Sequence, residues 1–184
     1  MDEIARHCGM SKKTLYQSLS DKADLVEKGI QSHMDKEGAA LCAIQEKSEN
    51  AIDEMFHIAQ HVSTYLQQIH PSILFDMEKY YPMAFTKFNE YKTKLIMSCI
   101  ARNIEEGIAQ GLYRRNINIP IVAGLYVGRM DIIFDQQLFP SAQYQAKDVY
   151  FEAIRYHIRG IASDKGMEYL KHKFKALDTQ NPIF

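Results

Sequence analysis

The sequence predicts an all-α chain in two parts, a short helix-turn-helix at the N-terminus and a longer helical domain behind it. Apolar residues recur at three- and four-residue spacing through nearly every segment, and no stretch alternates long enough for a strand. The five prolines sit at the seams between those segments: Pro71, Pro82, Pro120, Pro140 and Pro182.

The first element is a short helix in which Ile4, Ala5 and Cys8 share one face. Gly9 stops it, because glycine alone turns the chain sharply without a Cβ penalty. Met10 follows as an apolar plug, and Ser11 caps a second short helix. Leu15 and Leu19, four apart, point back at the first helix, with small Ala5 at the expected crossing. That leaves Lys12, Lys13, Thr14, Tyr16 and Ser18 facing solvent. These are the donors a groove-entering helix needs, ammonium and hydroxyl groups for phosphate and base edges. The same pattern also fits any αα-hairpin with a polar second helix.

The run Ile4-Ala5-Arg6-His7-Cys8-Gly9-Met10-Ser11-Lys12-Lys13-Thr14-Leu15-Tyr16-Gln17-Ser18-Leu19-Ser20-Asp21-Lys22, followed by Asp24-Leu25, resembles the TetR family of bacterial transcriptional regulators. The shared pattern is Ile-Ala, Gly-x-Ser, Thr-Leu-Tyr, then Lys with Leu soon after; Leu19 stands where the family usually has Phe. The resemblance implies that Lys12, Lys13 and Thr14 reach bases and phosphates, that Tyr16 and Lys22 bond phosphate, and that Ser18 sometimes reads a base. Ser11, as the cap, orients the helix and offers its hydroxyl to a phosphate. The family's first helix precedes this stretch and the sequence begins after it. The expectation is therefore an incomplete DNA-binding domain, with Met1–Lys22 loosely held and DNA affinity that rises once that helix is supplied.

A helix capped by Ser20 or Asp21 should run to about Lys36, with Leu25, Val26 and Ile30 inward. In the family it carries motion to the DNA-binding domain. The domains expected are residues 1–36, the helix-turn-helix with its connecting helix, and residues 37–184, for ligand binding and dimerisation. In the second, Ser48 to Ile69 reads as an amphipathic helix ended by His70-Pro71, and Ser72 to Tyr81 as a short helix closed by Pro82. Met83 to Gln110 is a long helix. Its end, Glu105-Glu106-Gly107-Ile108-Ala109-Gln110-Gly111-Leu112-Tyr113-Arg114, again resembles the TetR family, with Gly111 the natural residue past the helix end. Pro120 then falls in a first helical turn, where it is tolerated.

Ile119 to Phe134 is apolar nearly all round, so it must be covered on more than one side. Gly124 and Gly128 would let a partner helix come close. With the helix from Ala146 to Ser163 it looks like the pair that forms the TetR-family homodimer, although both also suit a monomer core. A last helix spans Gly166 to Leu177, with a loose tail from Thr179.

Aromatic residues and methionine crowd the middle of the chain, a weakly polar lining suited to an apolar or amphipathic small-molecule effector. The family binds effectors among these helices. The pocket candidates are His61, Tyr81, Phe88, Asn103, Tyr126, Arg129 and Met130. Arg129 and Asp131 interrupt an apolar helix and need partners, a structural ion pair or interface contact before a ligand. His57 and His61, four apart, have metal-binding spacing, yet nothing completes a ligand set, so they read as surface or pocket histidines.

The totals exclude several classes. With 46% hydrophobic and 24% charged residues, 184 residues suffice for a sizeable core. The net charge of −1 gives no global basic field, so DNA binding must use a local patch. Three scattered cysteines, Cys8, Cys42 and Cys99, suggest reduced, buried thiols and a cytoplasmic address. No secretory signal is expected behind the acidic Met1-Asp2-Glu3, and no span for a membrane. There is no catalytic motif and no cofactor fingerprint. The reading is a ligand-responsive repressor, a homodimer on a palindromic operator of unknown sequence. The alternative is a ligand-binding or interaction module of the same fold that, lacking its first helix, does not bind DNA.

Overall fold

The computed structural model describes residues 1–66 and 72–177, with side chains to residue 173. The expected helix stop at His70-Pro71 and the tail from Thr179 lie outside the described residues. Among those described there are nine helices and no strand: α1 (Asp2–His7), α2 (Lys12–Ser18), α3 (Lys22–Lys47), α4 (Ala51–Leu66), α5 (Ile73–Tyr80), α6 (Pro82–Ala109), α7 (Ile119–Ile132), α8 (Ala146–Ile161) and α9 (Asp164–Leu177). The all-α class read from the periodicity holds. The chain packs as two units, one of Met1–Ala39 with Ser72–Lys92, the other of Ala40–Pro71 with Thr93–Phe184.

In the first unit α1 ends in a Schellman turn. Gly9 takes φ +64, its N–H donates to the Arg6 carbonyl (3.1 Å) and the Met10 N–H to that of Ala5 (3.0 Å). Ala5 and Leu15 are buried where α1 meets α2, while Leu19 is half-buried. Two expectations fail here. Cys8 is the C-cap residue, off the helical face, and is exposed; Met10, beyond the turn, is 43% exposed and plugs nothing. Cys42 is exposed as well and Cys99 half-buried, so the thiols are not core residues.

Asp21 caps α3 by accepting the Asp24 N–H (2.8 Å), and the Asp24 carboxylate accepts the Ser20 N–H (2.9 Å). The helix passes the expected end at Lys36 and stops at Lys47. Ala39, Ala40 and Leu41 favour helix and no proline intervenes before Ser48, so the helix runs through Gly38. The start of α6 is tied to α3 by Lys87 with Glu27 (2.6 Å) and by Tyr91, whose hydroxyl donates to the Met34 carbonyl (2.9 Å).

In the second unit α4 packs on α8, and the core gathers Ile52, Met55, Ile100, Ile104, Ile154 and Ile158, all at most 2% exposed. A second Schellman turn ends α6: Gly111 has φ +74, its N–H reaches the Ile108 carbonyl (3.0 Å), and the Leu112 N–H reaches that of Gly107 (2.8 Å). The chain beyond is stapled to the α8–α9 junction by Arg114 N–H to Ile161 (2.9 Å), Ser163 N–H to Leu112 (2.9 Å) and the Ser163 hydroxyl to Gly111 (2.7 Å). Asn118 then caps α7 through the Ile121 N–H (3.3 Å), with Pro120 in the first turn.

Candidate functional site

The candidate recognition element is α2. Ser11 caps it, accepting the Thr14 N–H at 3.0 Å with the Thr14 hydroxyl at 2.8 Å. With Leu15 turned inward, Lys12, Lys13, Thr14, Tyr16 and Ser18 form an exposed face, as does Lys22 at the head of α3. Lys12 pairs with Asp2 (3.1 Å), an exposed contact worth little that a phosphate can replace. Lys22 stands 5.9 Å from the Tyr81 ring centroid. The hairpin thus presents a row of exposed ammonium and hydroxyl donors.

The pocket candidates are divided between the two units. Tyr81 and Phe88 are half-buried in the first unit, near Lys22 and Lys92 respectively. The others belong to the second unit, where His61 and Met130 are half-buried. Asn103, 1% exposed, has its amide committed to structure. Its nitrogen donates to the Ala51 carbonyl (2.9 Å) and Glu54 Oε2 (2.8 Å), and its oxygen accepts from the Tyr113 hydroxyl (3.2 Å). Arg102 binds the other oxygen of Glu54 and also Glu106 (2.9 Å). Next to Glu54, buried Asp53 is held by Lys173, by the Tyr169 hydroxyl (2.7 Å) and by Asn50 (2.9 Å). These two buried carboxylates escaped sequence reasoning; their signal was a pair of acids within the apolar run Ile52–Phe56.

Tyr126 and Arg129 do come together, on α7, and α8 adds Tyr150 and His157. The Arg129 guanidinium carbon lies 3.9 Å from the Tyr126 ring centroid, and Nη1 donates to the Ala153 carbonyl at 2.7 Å. His157 meets the Tyr126 ring edge-on at 4.9 Å. Burial, then the Arg129 charge, pushes His157 down from 6.5 to about 3, so its imidazole is neutral. Burial also raises the Tyr126 and Tyr150 phenols, which stay neutral. Arg129 finds no carboxylate among the described residues, so of the two partners expected for it, an ion pair or an interface contact, the ion pair within the chain is not formed there; Asp131 is on the exposed side of α7. His157 was legible only as one more inward residue of α8.

The remaining face of α7 is uncovered among the described residues. Ile121 (59% exposed), Leu125 (68%), Gly128 and Ile132 (47%) follow at four, seven and eleven residues, one stripe, and Tyr156 of α8 is 83% exposed. Gly128 has open space where a Cβ would stand, whereas a Cβ on Gly124 would meet Met97 of α6 at 3.8 Å. Of the two glycines expected to admit a partner helix, only Gly128 lies on the open stripe.

His57 is exposed, with Nδ1 3.0 Å from the Ser48 hydroxyl, and no group of three metal-ligating side chains converges among the described residues. A groove of 190 Å³ in the first unit is lined by Asp24, Glu27, Lys28, Met34 and Lys87 among others, and holds none of the pocket candidates. Among the described residues no helix is long and apolar enough to cross a membrane.

No family model matches the sequence, and no curated protein matches it. Solved structures do match the fold. The transcriptional regulator FadR from Bacillus subtilis, in complex with stearoyl-CoA, is 15% identical with a TM-score of 0.68, over 87% of this chain and 87% of that one. Reduced NemR from E. coli is 12% identical with a TM-score of 0.68, over 89% and 86%. The ketosteroid transcriptional regulator KstR2 of Mycobacterium tuberculosis is 15% identical with a TM-score of 0.55, over 89% and 84%. The chain has the all-α fold of these transcriptional regulators, a helix-turn-helix followed by a helical domain.

Proposed function

We propose that this chain is a ligand-responsive transcriptional repressor of TetR type, a cytoplasmic homodimer that binds a palindromic operator through α2. The observation that carries the reading is the hairpin itself: a Schellman turn at Gly9, a Ser11 cap, an inward Leu15 and an outward row of Lys12, Lys13, Thr14, Tyr16 and Ser18. The likeness in fold to three transcriptional regulators supports it, as does the sequence pattern around Thr14-Leu15-Tyr16. The stripe Ile121–Leu125–Gly128–Ile132 supplies a face for a second copy, which would double the basic patch and present two recognition helices to two half-sites. No catalytic role is assigned.

Lysines contact phosphate as point charges, so the phosphate term dominates affinity and salt weakens it steeply. Selection from a randomised duplex pool, followed by gel shift at two salt concentrations, tests the proposal. Inverted repeats should be enriched, and Lys12→Ala with Lys13→Ala should weaken all duplexes alike. No enrichment and no salt-dependent binding would overturn it and leave a ligand-binding module of the same fold.

A further inference from the structure

Among the described residues of the second unit the buried carboxylates are paired, and one half-buried guanidinium is not. Glu54 has Arg102 and Asn103; Asp53 has Lys173, Tyr169 and Asn50. Arg129 is the exception. Its guanidinium remains a cation, and its cluster companions Tyr126, Tyr150 and His157 are neutral, so the cluster carries one uncompensated positive charge. The tyrosine ring and one carbonyl solvate it only in part.

The unpartnered donors have a definite geometry. Nη1 is used by Ala153, while Nε and Nη2 are buried and have no acceptor among the described residues. Those two donors form one edge of the guanidinium fork, the edge that takes both oxygens of a carboxylate in parallel hydrogen bonds. His157 Nε2, in the same cluster and 92% buried with its side chain, is likewise without a partner. A single acceptor such as water satisfies one donor but leaves the charge unbalanced.

We infer that Arg129, assisted by His157, is the acid-binding group of the effector site, and that the effector is a carboxylic acid with an apolar body. This rests on the ligand-responsive reading above and names the ligand class for it. The apolar body follows from the surroundings: Tyr126 and Tyr150 belong to the cluster, Ile133 stands one turn beyond Arg129, Ile154 follows the Ala153 that Arg129 bonds, and all four are buried. Entry requires the packing of α7 on α8 around Arg129 to open, which couples binding to a rearrangement of those helices.

The test uses the full chain and two acid–alcohol pairs of equal carbon skeleton, decanoate with decanol and phenylpropanoate with phenylpropanol. Thermal shift and calorimetry should show at least one acid bound about tenfold or more tighter than its alcohol. Arg129→Gln should erase that preference and Arg129→Lys should keep part of it. Should the Gln variant not fold, imidazole NMR on the wild type decides. A carboxylate beside Arg129 cancels the positive charge acting on His157, so the acid, and not the alcohol, raises the pH at which that ring titrates. Equal binding of acid and alcohol, or undiminished acid preference in Arg129→Gln, overturns the assignment while leaving an effector pocket in place. Failure of all four probes to bind overturns the acid site and counts against the effector pocket together.

Discussion

The ring of Tyr113 fills the place that a Cβ on Gly107 would take, its Cδ2 only 2.1 Å from that position. Gly107 lies inside α6, where alanine is ordinarily favoured by about 1 kcal/mol. Here the order should reverse. Tyr113 cannot step aside cheaply, because its hydroxyl is bonded to Ala51 and Asn103 and it is 1% exposed. Gly107→Ala is expected to destabilise by about 1–3 kcal/mol through overpacking. Gly29→Ala in α3, with nothing within 4 Å of the new methyl, should instead stabilise by about 0.5–1 kcal/mol. Urea unfolding of the two variants reads both signs.

Glu54 and Arg102 should respond unequally to truncation. Glu54 is 2% exposed, and removing its carboxylate strands the Asn103 amide as well as the guanidinium. A loss of about 3 kcal/mol is expected for Glu54→Ala. Arg102 is 29% exposed and also bonds Glu106, so it keeps a partner and some water. Arg102→Ala should leave Glu54 with Asn103 and cost less. Equal losses in chemical denaturation would show that solvent does not reach the pair.

Much of this architecture was legible because it rests on local rules. The glycines at 9 and 111 both take positive φ where a helix ends, and Ser11 caps where a serine precedes an apolar–polar helical pattern. A glycine alone does not end a helix, as in α3, where Gly38 lies inside and the alanines after it carry the helix on to Lys47. What the sequence could not display is long-range partnership. Asp53 meets Tyr169 across 116 positions, and Glu54 meets Asn103 across 49, so neither pairing leaves a periodic trace. The same holds for Arg129, whose lack of a carboxylate among the described residues emerges only from the packing of α7 and α8.

The open stripe on α7 yields a direct test of assembly. Leu125 is 68% exposed at its centre, between Ile121 and Gly128. A charge there would be buried unpaired in a two-fold seam, repeated on both copies. Leu125→Glu is expected to convert the proposed dimer to monomer at micromolar concentration without loss of helix content. Gly124→Leu, which points at Met97, should disturb the core of one chain instead. Light scattering with circular dichroism separates the two, and a parent protein that is already monomeric would refute the seam.

His157 gives the protein an acid sensitivity of definite sign. Its imidazole is held near pKa 3 in the folded chain, by burial first and by the Arg129 charge second, against 6.5 when unfolded. Between those values the unfolded chain binds a proton that the folded chain refuses. Stability from this residue is therefore fully present above about pH 6.5 and falls as the pH drops toward 3, by up to about 1.4 kcal/mol per pH unit. At pH 5 the loss is about 2 kcal/mol relative to neutral pH, a sizeable share of the margin of a domain this size. His157→Leu, which keeps the ring's place apolar and cannot protonate, should flatten the profile over this range while the carboxylates still titrate below it. Urea midpoints at pH 5 and pH 7 for wild type and variant measure the difference. If both proteins lose stability in parallel between those values, the histidine is hydrated in the native state and the acid sensitivity lies elsewhere.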